Sequence, residues 1–436
     1  MDEPGAVHRG VNLAGYPSPV TTSQPALARR LALTDAVMIG LGSMVGAGVF
    51  VAFAPAAAAA GNWLLLALAL AALVAWCNAT SSAQLAARYP TSGGTYFYGR
   101  AELGPWPGFL AGWCFVIGKT ASCAAMALAV AHYAAPPGWQ RPVALTAIWA
   151  LAGVNLLGIT RTARLTRLLA VVVISVLALV VALGWLGGPP APSTPAVPGA
   201  TGLPGGPFGV LQAAGLLFFA FAGYARIATM GEEVVEPRRT IPRAIITALG
   251  IALVIYLAVG STLLHVLGWQ ALAASPAPVA DAVSRLGQAG ALPLVRVAAT
   301  AATLGALLNL LTGIGRTSLA MAREGDLPRA LAAVDPRHQV PRHAELVLAV
   351  VLSVLVLSVD LRGAIGFSSF GVLLYYFVAN AAAWHQREDR LYHRGWQALG
   401  MVLCAVLALT LPWHSVLVGL AVLAAGVVAR LALRRG

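Results

Sequence analysis

Long apolar stretches separated by short polar loops run through the chain from residue 34 onward. Most of them are long enough to cross a bilayer as a helix, and they lie at 34–60, 62–87, 105–134, 141–158, 162–187, 207–231, 243–268, 291–321, 344–360, 364–385, 395–411 and 413–433. They are too long for strands and lack the apolar–polar alternation of a half-buried strand. The pattern therefore predicts an all-α integral membrane protein with twelve transmembrane helices, and it excludes a membrane-spanning barrel.

The composition supports this interpretation. Of the 436 residues, 59% are hydrophobic and only 10% are charged, against roughly 25% charged residues in an ordinary soluble domain. So few charges could not cover the surface of a water-soluble fold of this size. A soluble enzyme, a disordered chain and a disulfide scaffold are therefore excluded.

The distribution of arginine predicts the orientation. With the N-terminus in the cytoplasm, 23 arginines fall on the inner side of the twelve helices and only 4 on the outer side, as the positive-inside rule requires. The net charge of +13 is spread between apolar stretches without a basic block, so we expect no nucleic acid partner. No cleavable signal peptide is visible in residues 1–33. We expect a multi-pass protein of the plasma membrane with both termini cytoplasmic.

A loop rich in proline and glycine divides the chain between the fifth and sixth helices. It carries no charge, which is typical of an extended extracellular linker. Five helices in each half give the halves opposite orientations, as in transporters with inverted repeats. The expected parts are a cytoplasmic tail, a first five-helix repeat, the linker, a second inverted repeat and a final pair of helices with a short cytoplasmic tail, over 1–33, 34–187, 188–206, 207–385 and 386–436.

Glycine interrupts the first helix of each half. The first helix contains GLGSMVGAGVF (40–50), and the sixth contains FFAFAGYARIATMGEEVVEP (218–237) with Gly223 near its middle. Each glycine weakens a helix by about 1 kcal/mol, so both segments can unwind and expose backbone groups to an anionic solute. Close packing of small residues is the alternative interpretation. Matching interruptions in the two halves favour a binding site near the middle of the membrane.

Three motifs resemble those of the amino acid–polyamine–organocation (APC) superfamily. They are GSMVGAGVF (42–50), FFAFAGYARIATMGEEVVEPRRTIPRAI (218–245) and GRTSLAMAREGDLP (315–328), and the second is most similar to the cationic amino acid transporter branch. The resemblance covers about residues 34–385. It implies a LeuT-like fold of five plus five inverted helices with helices one and six broken, two further C-terminal helices, and alternating access to an amino-acid-like substrate by rocking of helices one, two, six and seven.

The resemblance also implies the substrate-binding residues. The backbone of helix one would hold the substrate carboxylate at Met44, Val45, Gly46, Ala47 and Gly48. Carbonyl groups near Gly42 and from Phe219 to Gly223 would accept the ammonium group. Phe219 falls where the family often has an aromatic gate, although it is equally well explained as a core aromatic residue.

Two departures from the family pattern bear on substrate and coupling. Many members have an acidic residue after the Gly-aromatic pair of helix six, where this chain has Ala225 followed by Arg226. Helix five also lacks the lysine that some proton-coupled relatives carry there. The first departure disfavours a cationic substrate, and the second leaves the coupling ion open.

Lys119 is the only lysine of the chain and lies near the middle of helix three. A lysine at that depth costs roughly 2.5–3.5 kcal/mol to insert, so we expect it to have a function. Cys123 and Met126 follow at helical spacing and are expected on the same face, which the resemblance places at the substrate site. Lys119 would carry the coupling proton or pair with the substrate carboxyl group. A structural lysine bonded to the unwound carbonyls of helix one is the alternative.

Two further sets of polar residues are candidates for function. Asn309, in the middle of helix eight, would bind substrate or hydrogen-bond a neighbouring helix. The inner end of helix six is acidic and would form an inner gate of salt bridges with two arginines, or a solvated loop. The gate candidates are Glu232, Glu233, Arg316 and Arg323.

Motifs of other function classes are absent. The sequence contains no Walker-type phosphate loop, HExxH, CxxC or GxSxG, so we expect neither an enzyme nor a cofactor or metal site. Together with the helix pattern, the resemblance implies a secondary active transporter of amino acids, and we expect proton symport of a neutral or small amino acid. The alternatives are an exchanger of cationic amino acids or polyamines and, less favoured, a non-transporting sensor or a channel. Expected partners are the small-molecule substrate, H+ and membrane lipid, without an obligate protein partner.

Overall fold

The computed structural model describes residues 31–91, 93–158, 163–187, 204–231, 233–335, 337–338 and 340–434. Apart from one isolated bridge between Leu31 and Val234, their regular structure is helical. The α-helices of the first half are α1 (Leu33–Met44), α2 (Gly48–Val51), α3 (Phe53–Ala60), α4 (Leu64–Arg88), α5 (Gly94–Leu103), α6 (Pro105–Ala134), α7 (Gln140–Leu156) and α8 (Ala163–Leu186).

The helices after the proline-rich segment continue the pattern. They are α9 (Gly206–Phe221), α10 (Ala225–Ala228), α11 (Pro237–Ala274), α12 (Pro278–Arg285), α13 (Leu292–Arg323), α14 (Arg342–Ser358), α15 (Leu361–His385), α16 (Arg394–Thr410) and α17 (Trp413–Leu433). Short 3₁₀ turns lie at Gly61–Trp63, Ala222–Tyr224, Ala289–Ala291 and Arg329–Ala332. The expected all-α class is confirmed.

Nine helical stretches within the described residues are long and apolar enough to cross a membrane. They are Leu33–Val51, Phe53–Arg88, Pro105–Ala134, Leu165–Leu186, Gly206–Ala228, Pro237–Ala274, Ala289–Arg323, Leu361–His385 and Trp413–Leu433. Three other predicted segments correspond to α7, α14 and α16, which have 17 residues each. The chain is a multi-pass membrane protein, while the division into twelve crossings and two repeats stays a prediction.

Two helices lie where the sequence pattern had predicted only loops. α5 and α12 have 10 and 8 residues and mix polar with apolar positions, so a search for long apolar stretches does not find them. The expected N-terminal tail and extracellular linker fall largely outside the described residues.

Helix α6 occupies the centre of the molecule. Every residue from 117 to 131 is buried, and α6 packs against α13 and α15. A Cβ atom on Gly371 of α15 would lie 2.8 Å from the Cα of Gly118 of α6. Membrane helices commonly associate through such small residues because they allow the backbones to approach closely.

A buried carboxylate joins three helices near the end of α13. Asp326 accepts a hydrogen bond from the hydroxyl of Tyr96 at 3.0 Å and one from Arg100 of α5 at 3.1 Å. Its other oxygen lies 2.8 Å from Nε of Arg430 in α17, whose side chain is fully buried. Burial and the charge of Asp326 raise the pKa of the Tyr96 phenol above its ordinary value. The third motif of the sequence thus fixes α5 and α17 to the end of α13.

Candidate functional site

The two expected helix interruptions are present. Helix α1 ends at Met44 and α2 begins at Gly48, while α9 ends at Phe221 and passes through a 3₁₀ turn into α10. The first interruption begins later than the glycine pattern indicated, because Gly42 still lies within α1.

The interruptions lie directly against each other. A Cβ atom on Gly223 would contact the carbonyl of Ser43 and would lie 2.6 Å from the backbone nitrogen of Met44. A Cβ atom on Gly48 would lie 2.5 Å from the Cα of Ala220. Only glycine allows the two backbones to approach this closely, so the glycines bring the two broken segments together.

A tyrosine that the sequence analysis did not identify bridges the same two segments. The hydroxyl of Tyr256, from α11, lies 2.7 Å from the carbonyl oxygen of Met44 and 2.9 Å from that of Ala220. Both carbonyls lie close to an interruption, and the hydroxyl proton is donated to one of them at a time. No local motif marks this residue, because its role depends on how α11 packs against α1 and α9.

We expect Tyr256→Phe to lower the free energy of unfolding by about 1–3 kcal/mol, because a buried carbonyl loses its donor. Thermal unfolding of the purified protein in detergent measures the effect. Tyr392→Phe is the matched control, since the Tyr392 hydroxyl makes no hydrogen bond with a described residue, and we expect it to unfold like the wild type. Equal unfolding temperatures for Tyr256→Phe and the wild type would contradict the bridging role.

A cavity of about 170 Å³ lies beside the interruptions. Its wall combines the end of α1 at Ser43 and the unwound turn of helix six with faces of α6 and α13 and the start of α5. The lining residues are Ser43, Gly93, Tyr96, Phe115, Lys119, Ser122, Met126, Phe219, Ala222, Gly223, Ala225, Arg226, Thr229, Ala306, Asn309, Leu310, Gly313, Arg316, Thr317 and Ala320.

The cavity brings together about half of the residues proposed from the sequence. Those that line it are Lys119, Met126, Phe219, Gly223, Ala225, Asn309 and Arg316. Those that lie outside its wall are Gly42, Met44, Val45, Gly46, Ala47, Gly48, Cys123, Glu233 and Arg323. Glu232 lies outside the described residues.

The residues of the first interruption are covered by neighbouring helices. Met44, Val45 and Ala47 are 1–3% exposed, and a Cβ atom on Gly46 would lie 2.7 Å from the Cβ of Ala306. Their backbone amides therefore do not face the cavity in this conformation. Their role in holding a carboxylate stays a prediction for another conformation.

Cys123 lies beside the cavity face of α6 rather than on it. Successive helical residues turn by about 100°, so Met126 lies about 20° from the direction of Lys119 and Cys123 about 40° to the other side. The cavity wall includes the first two and not Cys123, which is fully buried. The expected common face therefore included one residue, Cys123, that does not line the cavity.

Lys119 is attached to the second interruption. Its side chain is buried, and Nζ donates a hydrogen bond to the carbonyl of Ala222 at 3.1 Å. Ala222 belongs to helix six, whereas the alternative interpretation had placed the carbonyl partner of Lys119 in helix one. An ammonium group has three N–H donors, and this is its only hydrogen bond to a described residue. Lys119 therefore keeps donors for a solute in the cavity.

The expected gate pairs of Glu233 with Arg316 or Arg323 are not formed in this conformation. Glu233 lies 3.9 Å from Arg226, and neither Arg316 nor Arg323 pairs with an acidic residue among those described. Arg226 also donates to the hydroxyl of Thr229 at 3.1 Å. In the structure Glu233 thus forms its ion pair with Arg226. The gate with Arg316 or Arg323 stays a prediction.

Asn309 faces the cavity from α13. It is half-buried, and its amide makes no hydrogen bond to a described residue, whereas the nearby Thr312 donates to Asn155 at 3.0 Å. This difference favours a solute-binding role for Asn309 over helix packing. The neighbouring Gly313 and Thr317 line the same wall at four-residue spacing, a face that becomes recognisable only once the orientation of α13 is known.

A buried acidic residue, Glu345, lies on another side of α13. It is 2% exposed, and its Oε2 atom has no hydrogen-bond partner among the described residues. Its other oxygen contacts the position where a Cβ atom of Gly315 would lie. It lies outside the wall of the cavity. The described residues contain no group of three or more potential metal ligands.

The chain is similar to known transport proteins over most of its length. A family model described as amino acid permease matches residues 31–430. An uncharacterized transporter of Mycobacterium tuberculosis (strain ATCC 25618 / H37Rv) is 54% identical over 404 residues, which are 92% of this chain and 91% of the relative. The branched-chain amino acid permease BcaP of Bacillus subtilis is 26% identical over 74% of this chain and 73% of its own length. Human cationic amino acid transporter 4 is 30% identical over 83% of this chain and 60% of its own length.

Proposed function

The chain belongs to the amino acid permease family, and on that premise we propose that it is a secondary active transporter that moves amino acids across the plasma membrane by alternating access. The observation that carries this proposal is the contact between the two helix interruptions beside a cavity that contains Lys119. Such paired interruptions are where transporters with inverted repeats bind their substrates. A LeuT-like arrangement with cytoplasmic termini is part of the proposal.

The contacts at the interruptions suggest how the helices would move. Gly223 packs on the backbone of Ser43 and Met44, and Tyr256 hydrogen-bonds to both segments. Helices one and six would therefore move together rather than independently. Their rocking with helices two and seven against the wall formed by α6 and α13 would open the cavity to one side of the membrane and then to the other.

Coupling to protons would act through Lys119. A carboxylate bound next to a buried lysine stabilises the charged form of that lysine, so solute binding would favour proton uptake. When the solute leaves, the ammonium group keeps only the Ala222 carbonyl as a partner among the described residues, and release of the proton would accompany release of the solute. Proton symport follows from this linkage.

The cavity does not favour the alternative of a cationic substrate. None of the described lining residues is acidic, so a cationic side chain would find no counter-charge there. The names of the relatives indicate different substrates, branched-chain amino acids for one and cationic amino acids for another. We therefore keep a small amino acid, rather than a cationic one, as the proposed substrate.

Reconstitution into liposomes tests the proposal. We expect proteoliposomes loaded with a mixture of unlabelled amino acids to show saturable counterflow of labelled ones, and we expect an imposed pH gradient to accelerate uptake. Protein-free liposomes are the control. Unsaturable, ohmic current would indicate a channel instead, and amino acid binding without flux would indicate a sensor.

A further inference from the structure

Three positively charged side chains line the cavity. They are Lys119 of α6, Arg226 of α10 and Arg316 of α13. No aspartate or glutamate is found among the described lining residues. With Lys119 protonated, the formal charge of the wall is therefore +3, or +2 when Glu233 beside Arg226 is included.

Little within the described structure compensates this charge. The distance of 3.9 Å between Arg226 and Glu233 is too long for a hydrogen bond, and both side chains are about one-third exposed. Among the described residues, Lys119 donates a hydrogen bond only to a neutral carbonyl group. Arg316 is exposed and pairs with no carboxylate among the described residues. A concave site lined by one sign of charge attracts solutes of the opposite sign.

The cations lie on different walls of the cavity. Lys119 lies at the helix interruption, whereas Arg316 lies on α13 seven residues beyond Asn309, about 10 Å along the helix axis. Arginine binds carboxylates through two parallel N–H groups. A single α-carboxylate would balance one of these charges and leave the other without a partner.

Lys119 also occupies a carbonyl acceptor that the ammonium group of a substrate would need. The carbonyl of Ala222 at the unwound turn already accepts a hydrogen bond from Lys119. A substrate with extra positive charge would meet an occupied acceptor and three repelling cations. A substrate with extra negative charge would instead provide the missing partners.

We propose that the transported amino acid carries a second acidic group, so that its net charge is negative, as in aspartate and glutamate. This inference rests on the proposed transport function and specifies the substrate of the same cavity. Lys119 binds one carboxylate near the helix interruption, and Arg316 binds the other from the α13 wall of the cavity. Neutral amino acids of the same shape bind more weakly because they leave one cation unpaired.

Uptake by proteoliposomes of matched solutes tests the charge. Aspartate and asparagine have nearly the same shape and differ in one charge, so we expect kcat/KM for aspartate to be at least about tenfold higher, as charge-assisted hydrogen bonds allow. Equal or faster uptake of asparagine or lysine overturns the inference and leaves amino acid transport intact. Absence of uptake of every amino acid overturns the proposed function itself.

Succinate tests whether transport requires the amino group as well as the two carboxylates, because it is aspartate without its ammonium group. Slow uptake of succinate beside rapid uptake of aspartate supports an acidic amino acid as substrate. Uptake of succinate as fast as that of aspartate overturns the amino acid part of the proposal.

Arg316→Gln tests whether the cavity wall sets this selectivity. Arg316 is exposed, so its replacement is compatible with folding, and we expect the ratio of aspartate to asparagine uptake to fall about tenfold. Arg296→Gln is the matched control, because Arg296 is an exposed arginine of the same helix outside the cavity wall. An unchanged ratio in Arg316→Gln overturns the assignment of Arg316 to the second carboxylate.

Discussion

Replacing Lys119 with methionine is expected to lower amino acid uptake by proteoliposomes about a hundredfold, because it removes the buried donor that a carboxylate would use. The substitution also leaves the carbonyl of Ala222 without its partner at the unwound turn. If Lys119 carries the coupling proton, the residual uptake should no longer respond to a pH gradient. Initial rates of labelled uptake at several external pH values measure both effects.

Thr120→Ala is the matched control for this substitution. Thr120 is the next residue of α6 and is also buried, but it lies outside the cavity wall and donates its hydrogen bond within its own helix, to Val116. We expect Thr120→Ala to keep both the rate and the pH dependence of the wild type. Uptake by Lys119→Met with the normal rate and pH dependence would remove the proton-carrying and the carboxylate-binding roles of Lys119 together.

Gly223→Ala is expected to destabilise the protein by about 3 kcal/mol or more, at the upper end of what overpacking costs. The added Cβ atom would contact the backbone of Ser43 and Met44. A flexible side chain could move away from such a contact, but these backbone atoms are held by α1 and by Tyr256. The yield of folded protein and its thermal unfolding temperature in detergent measure the effect.

Gly250→Ala controls for the general effect of replacing a helical glycine. Gly250 lies in α11, and a Cβ atom there would have no other atom within 4 Å. Because alanine is the better helix former, we expect Gly250→Ala to unfold at or slightly above the wild-type temperature. If Gly223→Ala also unfolded at that temperature, the two helix interruptions would not be in backbone contact.

The helices and the interruptions could be predicted from the sequence because both depend on local composition. Long apolar stretches predict spans wherever they occur, and glycine weakens a helix in any surroundings. The position of an interruption depends also on what packs against it. Gly42 remains helical within α1, whereas the chain leaves the helix after Met44, where Gly46 packs against α13 and Gly48 packs against helix six.

The partners of the site residues could not be predicted, because they come from distant parts of the chain. Lys119 was recognised by its depth in the membrane, but its carbonyl partner lies more than a hundred residues away in helix six. The bridge made by Tyr256 has no signature of its own. Arg226 was noted as a departure from the family pattern, and only the cavity shows that it lies beside two other cations.

The buried ion pairs around Asp326 determine which parts of the molecule stay fixed with respect to one another. Separating Arg430 from Asp326 would leave the fully buried guanidinium of Arg430 without its carboxylate, at a cost of about 3–5 kcal/mol. If these contacts persist through the transport cycle, α5, α13 and α17 keep the same relative positions in every step. The wall with Asn309 and Arg316 would then be a fixed surface. A bound solute would stay in contact with that surface while the opposite wall moved.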